Sequence, residues 1–332
     1  MGSADTSTSL TSATTRNTDT ATPKACSPLT GASRLREMLH DPSKVVVCPG
    51  VFDGLTARLA LAAGYDALYM TGAGTSMSRL GWADLGLATL NDMRANAEMI
   101  ASLDPSVPVL ADADTGYGGP IMVTRTVTQY ARAGVAALHI EDQVQEKRCG
   151  HLLGKQIVDR AVFLSRLRAA VSARNNLHSD MLIIARTDAR QTYGFEEAVA
   201  RLQEAIKVGV DVVFPEALQS HEEMAEMCRR MAPTPVLLNV VPGGVTPECT
   251  IEEARGMGFR VIIYPGLCIS AVVESVAQEL KTLKTTGTTS SRGSVGAGVS
   301  IKDAFNLCGL QECIDVDRQA GGKAYDTVNG EE

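Results

Sequence analysis

From residue 31 onward, short apolar runs alternate with longer amphipathic segments. The apolar runs are rich in Val, Ile and Leu and occupy residues 45–50, 67–72, 108–114, 137–143, 182–188, 212–216, 235–241 and 260–266. Strands that are apolar on both faces and separated by helices are typical of a parallel sheet, and eight strand-helix units are the number that closes a TIM barrel. The pattern therefore predicts an α/β protein whose residues 31–284 form a (β/α)8 barrel.

The N-terminal stretch, residues 1–30, is rich in Ser and Thr and has almost no large apolar side chain. It cannot bury enough surface to offset the entropy of ordering, so we expect a disordered tail. A mitochondrial presequence is the alternative, because Arg16 and Lys24 lie in this Ser-rich stretch. Asp5 and Asp19 and the lack of an amphipathic stripe count against it, and we expect a cytoplasmic protein.

The C-terminal part of the chain follows a different pattern. Residues 269–284 have helical periodicity, and residues 285–300 are a Gly, Ser and Thr stretch that is typical of a flexible linker. Residues 301–332 form an arm and tail, in which residues 301–313 are expected to be a short helix with one apolar face. Such a helix has no core of its own, so we expect the arm to pack on a neighbouring subunit.

Composition and charge exclude several classes of protein. The formal net charge is −7 and no run of Lys and Arg occurs, which argues against a nucleic-acid partner. No apolar run approaches the roughly 18 residues that span a bilayer, so no membrane partner is expected. The eight cysteines include no CxxC pair, which suits a reducing compartment better than a disulfide framework.

Polar side chains lie at the C-terminal ends of the predicted strands, where TIM barrels place their active sites. They are Asp112, Asp114, Glu141, Arg186, Asp188, Glu216 and Asn239. Charges at the ends of apolar runs are at least partly desolvated and therefore costly unless they serve a purpose. Salt bridges that close the top of the barrel are the structural alternative, but seven such groups together indicate an active site.

Two of these carboxylates, Asp112 and Asp114, end the third run. Side chains alternate along a strand with a period of two, so both are predicted to lie on the same side of it. Two like charges in such proximity need a counter-ion. Their hard oxygen donors favour Mg²⁺, or Mn²⁺, over zinc.

Three motifs together resemble the isocitrate lyase and phosphoenolpyruvate mutase superfamily, and the resemblance covers about residues 31–315. They are Lys-Arg-Cys-Gly-His at residues 147–151, Asp-Ala-Asp-Thr-Gly-Tyr-Gly at residues 112–118 and His-Ile-Glu-Asp-Gln at residues 139–143. The resemblance implies a barrel with a Mg²⁺-dependent site for 2-oxo or 2-hydroxy dicarboxylates. It also implies a homotetramer, in which the subunits of a pair exchange their C-terminal helices.

The same resemblance assigns binding roles to individual residues. Asp112 corresponds to the direct metal ligand, and Asp84, Asp114 and Glu141 correspond to residues that hold the metal through water molecules. The residues expected around the substrate are Thr71, Gly72, Ala73, Gly150, His151, Arg186, Asn239 and Pro265. Members of the family usually have Ser at the position of Thr71 and Gly at that of Ala73, so this end of the pocket is slightly altered.

The catalytic roles implied by the resemblance fall on Cys149, Lys147, Tyr69, His151 and Glu216. Retro-aldol cleavage of a 2-hydroxy acid leaves an enolate-like carboxylate that must be protonated, and Cys149 is placed to donate the proton. Lys147 and His151 lie close enough in sequence to tune the pKa of the thiol. Family mutases lack this thiol, which favours a carbon-carbon lyase.

Two features distinguish branches of the family. Leu152 and Leu153 follow His151, where methylisocitrate lyases continue with basic and polar residues, which indicates a substrate without a third carboxylate. Oxaloacetate hydrolases have a Ser near the end of the eighth strand. This chain has Pro265 at that position, and the side chain of proline has no hydrogen-bond donor. We therefore predict a lyase for an alkylmalate such as 2,3-dimethylmalate, giving pyruvate and a short acid. Oxaloacetate acetylhydrolase and methylisocitrate lyase are the alternatives, and a barrel without catalytic activity is a third that no residue supports.

Overall fold

The computed structural model describes residues 30–150, 152–289 and 299–325. Eight strands occur in these ranges, β1 to β8 in chain order: Val46–Val51, Leu68–Met70, Val109–Asp112, Ala137–Glu141, Leu182–Thr187, Val212–Pro215, Leu237–Asn239 and Val261–Tyr264. All neighbouring pairs are parallel, in the order β6-β5-β4-β3-β2-β1-β8-β7. A parallel bridge between Val213 and Val236 joins the two ends of this sheet and nearly closes it. The predicted barrel is confirmed.

Helices surround the strands. Within the described residues they are α1 (Gly31–His40), α2 (Gly54–Ala62), α3 (Gly72–Thr75), α4 (Leu90–Leu103), α5 (Pro120–Arg132), α6 (Arg160–Asn176), α7 (Ala189–Tyr193), α8 (Phe195–Val208), α9 (His221–Met231), α10 (Ile251–Met257), α11 (Leu267–Thr286), α12 (Ile301–Leu307) and α13 (Leu310–Gln319), with a π-helical turn at Ser76–Leu80. Three of them, α2, α4 and α10, begin with a capping box. Such caps satisfy the free N–H groups of the first helical turn, so the loops enter these helices at fixed positions.

The strands are buried on both faces because each face belongs to a different core. One apolar cluster fills the barrel interior and includes Leu182, Ile184 and Phe214. The other lies between strands and helices and includes Ile183 and Ala185, the neighbours of Leu182 and Ile184 in β5. Side chains alternate along each strand, so every second residue faces inwards. This alternation decides which polar residues reach the mouth of the barrel.

The C-terminal helices differ from the rest. In α11 no residue is buried, although Val273, Val276 and Leu280 form an apolar stripe at helical spacing. The predicted single helix at residues 301–313 is wrong: α12 and α13 are separate helices, because Gly309 between them adopts a left-handed conformation with φ 86°. The predicted linker and both tails lie partly or wholly outside the described residues. Among the described helices, none is long and apolar enough to cross a membrane.

Candidate active site

Four of the seven predicted polar strand ends line one cavity at the C-terminal mouth of the barrel, and Asp114, Glu141 and Asp188 lie outside its lining. In five strands the alternation that points apolar side chains inwards continues to a polar residue at the end, which therefore also faces inwards. These inward residues are Asp112, Glu141, Arg186, Glu216 and Asn239, all buried. The cavity has a volume of about 120 Å³ and is lined by Tyr69, Thr71, Ala73, Asp84, Asp112, Cys149, Gly150, Arg186, Glu216, Asn239, Val241, Pro265, Gly266 and Ile269. A space of this size fits a small molecule only.

The two aspartates of β3 are arranged differently from the prediction. The strand ends at Asp112, and Asp114 lies in the following turn with φ 46°. The N–H of Asp114 donates to Asp112 Oδ1 at 2.8 Å, so the chain folds back over the first carboxylate. The prediction that both carboxylates lie on one side of a continuous strand is therefore wrong. The position of Asp114 relative to Asp112 is set by a tight turn.

Lys147 forms buried ion pairs with two of the acidic groups, Asp84 and Asp114. Its Nζ lies 2.6 Å from Asp84 Oδ1 and 2.5 Å from Asp114 Oδ1, and the residue is buried. Burial, partly offset by Lys147 and reinforced by Asp112, raises the pKa of Asp114 to about 7. Burial would also raise the pKa of Asp112, but His139, Lys147 and Arg186 outweigh it and hold that pKa below its usual value.

Arg186 links the acidic groups on the opposite side of the cavity. Its Nε lies 3.2 Å from Glu141 Oε2, and its Nη2 lies 3.3 Å from Glu216 Oε2. Asn239 Nδ2 donates to the same Glu216 oxygen at 3.1 Å. The guanidinium also lies over the ring of Phe214, with 5.0 Å between Cζ and the ring centroid. Five donors in a fixed plane make this side chain suited to a substrate carboxylate.

Tyr69 is held in the cavity by a histidine that the sequence analysis quoted without giving it a role. The Tyr69 hydroxyl and His139 Nε2 are 2.9 Å apart, and the rings stack with 5.8 Å between centroids. His139 Nδ1 lies 3.6 Å from Asp112 Oδ1. Burial lowers the pKa of His139 to about 4, so the ring is neutral at ordinary pH. A polar residue within the apolar run 137–143 was the signal that could have identified it.

The segment after β2 also borders the cavity. Thr71 caps the N-terminus of α3, and its hydroxyl accepts a hydrogen bond from the Gly74 N–H at 3.3 Å. Gly72 packs directly against the metal-ligand candidate, since a Cβ at this position would lie 2.3 Å from Asp112 Oδ2. Ala73 lines the cavity. A side chain on Gly72 would displace the carboxylate, which explains why this position requires glycine.

The loop that carries the thiol covers the cavity. Cys149 and Gly150 both line it, and the N–H of Cys149 donates to the Asp84 carbonyl at 3.2 Å. Gln143 holds the same loop through two hydrogen bonds with the main chain of Arg148. His151 lies outside the described residues, so its predicted roles stay predictions.

Lys155 is a buried residue next to the cavity that the sequence did not indicate, and Val241, Gly266 and Ile269, which line the cavity, were not predicted as site residues either. The Nζ of Lys155 lies 2.6 Å from Asp188 Oδ1 and donates to the Gly150 carbonyl at 2.8 Å. Asp188 was identified only as a polar strand end. Lysines are mostly exposed, and nothing in the local pattern separates this one from the others.

The donor set fits a hard divalent cation that few protein atoms contact directly. No group of three His, Cys, Asp or Glu side chains in the described ranges is arranged to hold a metal ion by itself. Asp112 as the direct ligand, with Asp84, Asp114 and Glu141 acting through water, is compatible with that finding, because Mg²⁺ usually keeps several waters. The buried Glu141 Oε1 has no hydrogen-bond partner within the described part of the chain, which leaves an acceptor free for such a water.

A parallel barrel with a thiol-bearing loop over a polar, acidic cavity defines the class: a TIM-barrel protein with an active-site cavity at the C-terminal strand ends. A family model for phosphoenolpyruvate phosphomutase matches residues 35–284. The chain therefore belongs to the phosphoenolpyruvate mutase and isocitrate lyase superfamily.

Individual relatives refine this comparison. The 2,3-dimethylmalate lyase of Eubacterium barkeri is 39% identical over 286 residues, which are 86% of this chain and 96% of that protein. A trigonal crystal structure of a 2,3-dimethylmalate lyase is 52% identical, with a TM-score of 0.86, and covers 90% of this chain and 98% of the solved one. Oxaloacetate acetylhydrolase with 3,3-difluorooxalacetate is 48% identical, with a TM-score of 0.86 and coverage of 90% and 99%. Phosphonopyruvate hydrolase, solved with oxalate and Mg²⁺, is 25% identical, with a TM-score of 0.76 and coverage of 87% and 99%.

Proposed function

We propose that this protein is a Mg²⁺-dependent carbon-carbon lyase that cleaves an alkylmalate, such as 2,3-dimethylmalate, to a 2-oxo acid and a short carboxylic acid. The observation that carries the proposal is the position of Cys149, which lines the same cavity as Asp112 and Arg186. A lyase of this kind needs a proton donor beside the site that binds the substrate carboxylates. The similarity to two 2,3-dimethylmalate lyases supports the choice of substrate class.

The shape of the cavity also supports an alkyl-substituted substrate. Arg186 and Asn239 lie on its polar side, where they suit the carboxylates of the substrate. Val241, Pro265 and Ile269 line the cavity with apolar atoms. An apolar wall next to a carboxylate site favours a dicarboxylate with methyl or other alkyl substituents over a third carboxylate, because a charged group there would be desolvated without a partner.

The proposed reaction is a retro-aldol cleavage. The C2 hydroxyl of the substrate loses its proton, C2 becomes the carbonyl of the 2-oxo acid, and the electron pair of the C2–C3 bond passes to the leaving fragment. Cys149 Sγ–H donates its proton to C3, which completes the short acid. The proton released from the hydroxyl balances the one that Cys149 gives up, so the thiol is regenerated over one turnover. Lys147, two residues before Cys149, would supply positive charge to the loop that carries the thiol.

Other side chains orient the substrate. Tyr69 and Glu216 line the cavity, and both are held by further hydrogen bonds, to His139 and Asn239 respectively. Groups fixed in this way lose little entropy when they bind a substrate. A divalent ion at Asp112 would supply Lewis-acid stabilisation of the charge that develops on oxygen, an effect worth several kcal/mol.

Oxaloacetate hydrolysis is the second candidate, because the oxaloacetate acetylhydrolase structure is almost as similar as the lyase structure. Pro265 argues against it, since the side chain at this point of the cavity wall has no hydrogen-bond donor for a hydrated substrate. The two reactions are distinguished by their products.

The test of function is release of 2-oxo acid from a panel of 2-hydroxy dicarboxylates by the purified protein with Mg²⁺. The panel contains 2,3-dimethylmalate, methylmalates and methylisocitrate, and oxaloacetate consumption is measured beside it. We expect cleavage of an alkylmalate with oxaloacetate unchanged. Conversion of oxaloacetate to oxalate and acetate, or cleavage of methylisocitrate alone, would contradict the alkylmalate proposal.

The role of the thiol has its own test. Cys149→Ser should lower turnover by about two or more orders of magnitude while the fold is retained, because a hydroxyl is a much weaker acid than a thiol. Cys249→Ser is the matched control, since this thiol is also half-buried but lies outside the cavity. Turnover of Cys149→Ser close to that of the control would refute the proton-donor role.

We also infer that the protein forms a homotetramer in which paired subunits exchange their C-terminal helices. The apolar stripe of α11 supports this inference, because Val273 and Leu280 are each 61% exposed in the single chain. A second copy of the arm, which carries the exposed Ile301 and Phe305, provides a matching apolar surface.

A further inference from the structure

Lys155 connects the thiol-bearing loop to the substrate side of the barrel. The residue lies at the far end of this loop, and its side-chain exposure is 0%. Its Nζ donates to the carbonyl of Gly150, the residue after the thiol, at 2.8 Å. It also donates to Asp188 Oδ1, beyond β5, at 2.6 Å. A buried ammonium with two such partners is a fixed connection and not a solvated charge.

Asp188 also forms hydrogen bonds with Arg186. Arg186 Nε donates to Asp188 Oδ2 at 3.0 Å, and Arg186 Nη2 lies close enough to Gly150 that a Cβ there would be only 2.5 Å away. Gly150, Lys155, Asp188 and Arg186 therefore form a closed ring of contacts. If one member of the ring is removed, the loop and the arginine can move independently.

We infer that Lys155 is a positioning residue that holds the loop over the cavity, and thereby fixes Cys149 relative to Arg186. The inference concerns the same site as the proposed lyase and rests on that function only for the role of the thiol. Lys155 itself does not line the cavity. Its effect on the reaction is transmitted through the Gly150 carbonyl and through Asp188.

The charges around the ring make Lys155 hard to replace. Asp188 is fully buried beside Asp142, whose carboxylate accepts hydrogen bonds from the Asp188 N–H at 2.9 Å and from the Thr187 hydroxyl. Burial would raise the pKa of Asp188, but Arg186 and Lys155 outweigh it and hold the pKa well below the usual value. Without Lys155, Arg186 would be the remaining cation that bonds the Asp188 carboxylate. The stronger attraction to Asp188 would then draw the guanidinium of Arg186 away from the substrate position.

The experiment compares Lys155→Met, which keeps the length of the side chain without its charge, with Lys207→Met, an exposed lysine on α8 as the control. Four quantities are measured: kcat and KM with the best substrate, the rate at which iodoacetamide alkylates each cysteine, followed by peptide mass mapping, and the Tm. Lys155→Gln, which keeps a donor for the Gly150 carbonyl, serves as a second variant if Lys155→Met folds poorly.

We expect the Lys155 variant to lower kcat by about tenfold to a hundredfold, as displacement of a reacting group by about 1 Å does. Cys149 should be alkylated at least about tenfold faster, while the buried Cys48 and Cys228 stay unreactive. Asp188→Asn should not add its full effect to that of Lys155→Met, because both act through one connection.

Two results would overturn the inference. The first is equal Cys149 alkylation in Lys155→Met and Lys207→Met. The second is faster alkylation of Cys48 and Cys228 together with Cys149, which would mean that Lys155 only stabilises the fold. The alkylation measurement needs no substrate, so it decides the positioning role even if the alkylmalate proposal fails.

Discussion

Gly150→Ala is the perturbation whose consequence the structure defines most sharply. A Cβ at this position would lie 2.5 Å from Arg186 Nη2 and 2.8 Å from Glu216 Oε2. Ordinary contacts begin at about 3.4 Å, so about 0.9 Å of movement is required. Arg186 is held by Asp188 and Glu216 is held by Asn239, so we expect the loop to move and not its partners.

The size of the effect follows from that distance. A misplacement of about 1 Å at a reacting group costs about a hundredfold in rate, which corresponds to about 2.7 kcal/mol in the activation barrier. The assay is steady-state kinetics with the preferred substrate, together with the Tm. Gly256→Ala is the matched control, because a Cβ there meets no atom within 4 Å. If Gly150→Ala retained kcat within about threefold of the control, the close packing of the loop on Arg186 would be refuted.

Further predictions concern pH, specificity, metal and assembly. The pKa of His139 is about 4 in the folded state and about 6.5 in the unfolded state, so this residue costs about 2 kcal/mol of stability as pH falls from 7 to 5. Other buried groups such as Asp114 also titrate in this range, so the test is the difference: denaturant unfolding should show the wild type losing about 2 kcal/mol more than His139→Gln between pH 7 and 5. Ile269→Ala should improve kcat/KM for longer alkylmalates relative to 2,3-dimethylmalate, and an unchanged ratio would count against the apolar wall. Calorimetry should show that Asp112→Asn weakens Mn²⁺ binding at least about tenfold; equal affinity would exclude it as a ligand. A chain truncated at residue 285 should elute at a lower oligomeric mass in size-exclusion chromatography, and an unchanged mass would refute the role of the arm.

Much of the site was predictable from local patterns. Each apolar run that ends in a polar residue gives both a strand and the side of the barrel on which its last side chain lies. Asp112, Arg186 and Asn239 were found in this way, and all three line the cavity. The loop motif identified Cys149 and Gly150, which line it as well.

Other residues were not predictable from the same patterns. Asp114 was placed on a strand, but the strand ends two residues earlier and a left-handed turn carries it. The break between α12 and α13 had a signal in Gly309, a residue type that often ends helices. Lys155 had none, because its importance depends on burial against Asp188, a residue 33 positions away.

The sequence by itself determined the number of strands, the face on which each polar strand end lies and the motif of the loop, because these depend on periodicity and on neighbours along the chain. Only the tertiary structure decided which charges meet: Lys147 between Asp84 and Asp114, and Lys155 between Gly150 and Asp188. The pairs of Lys147 with Asp84 and of Lys155 with Asp188 join segments that are distant in the chain. Their energy comes from burial and from the fixed separation of the partners, and neither exists until the barrel has closed.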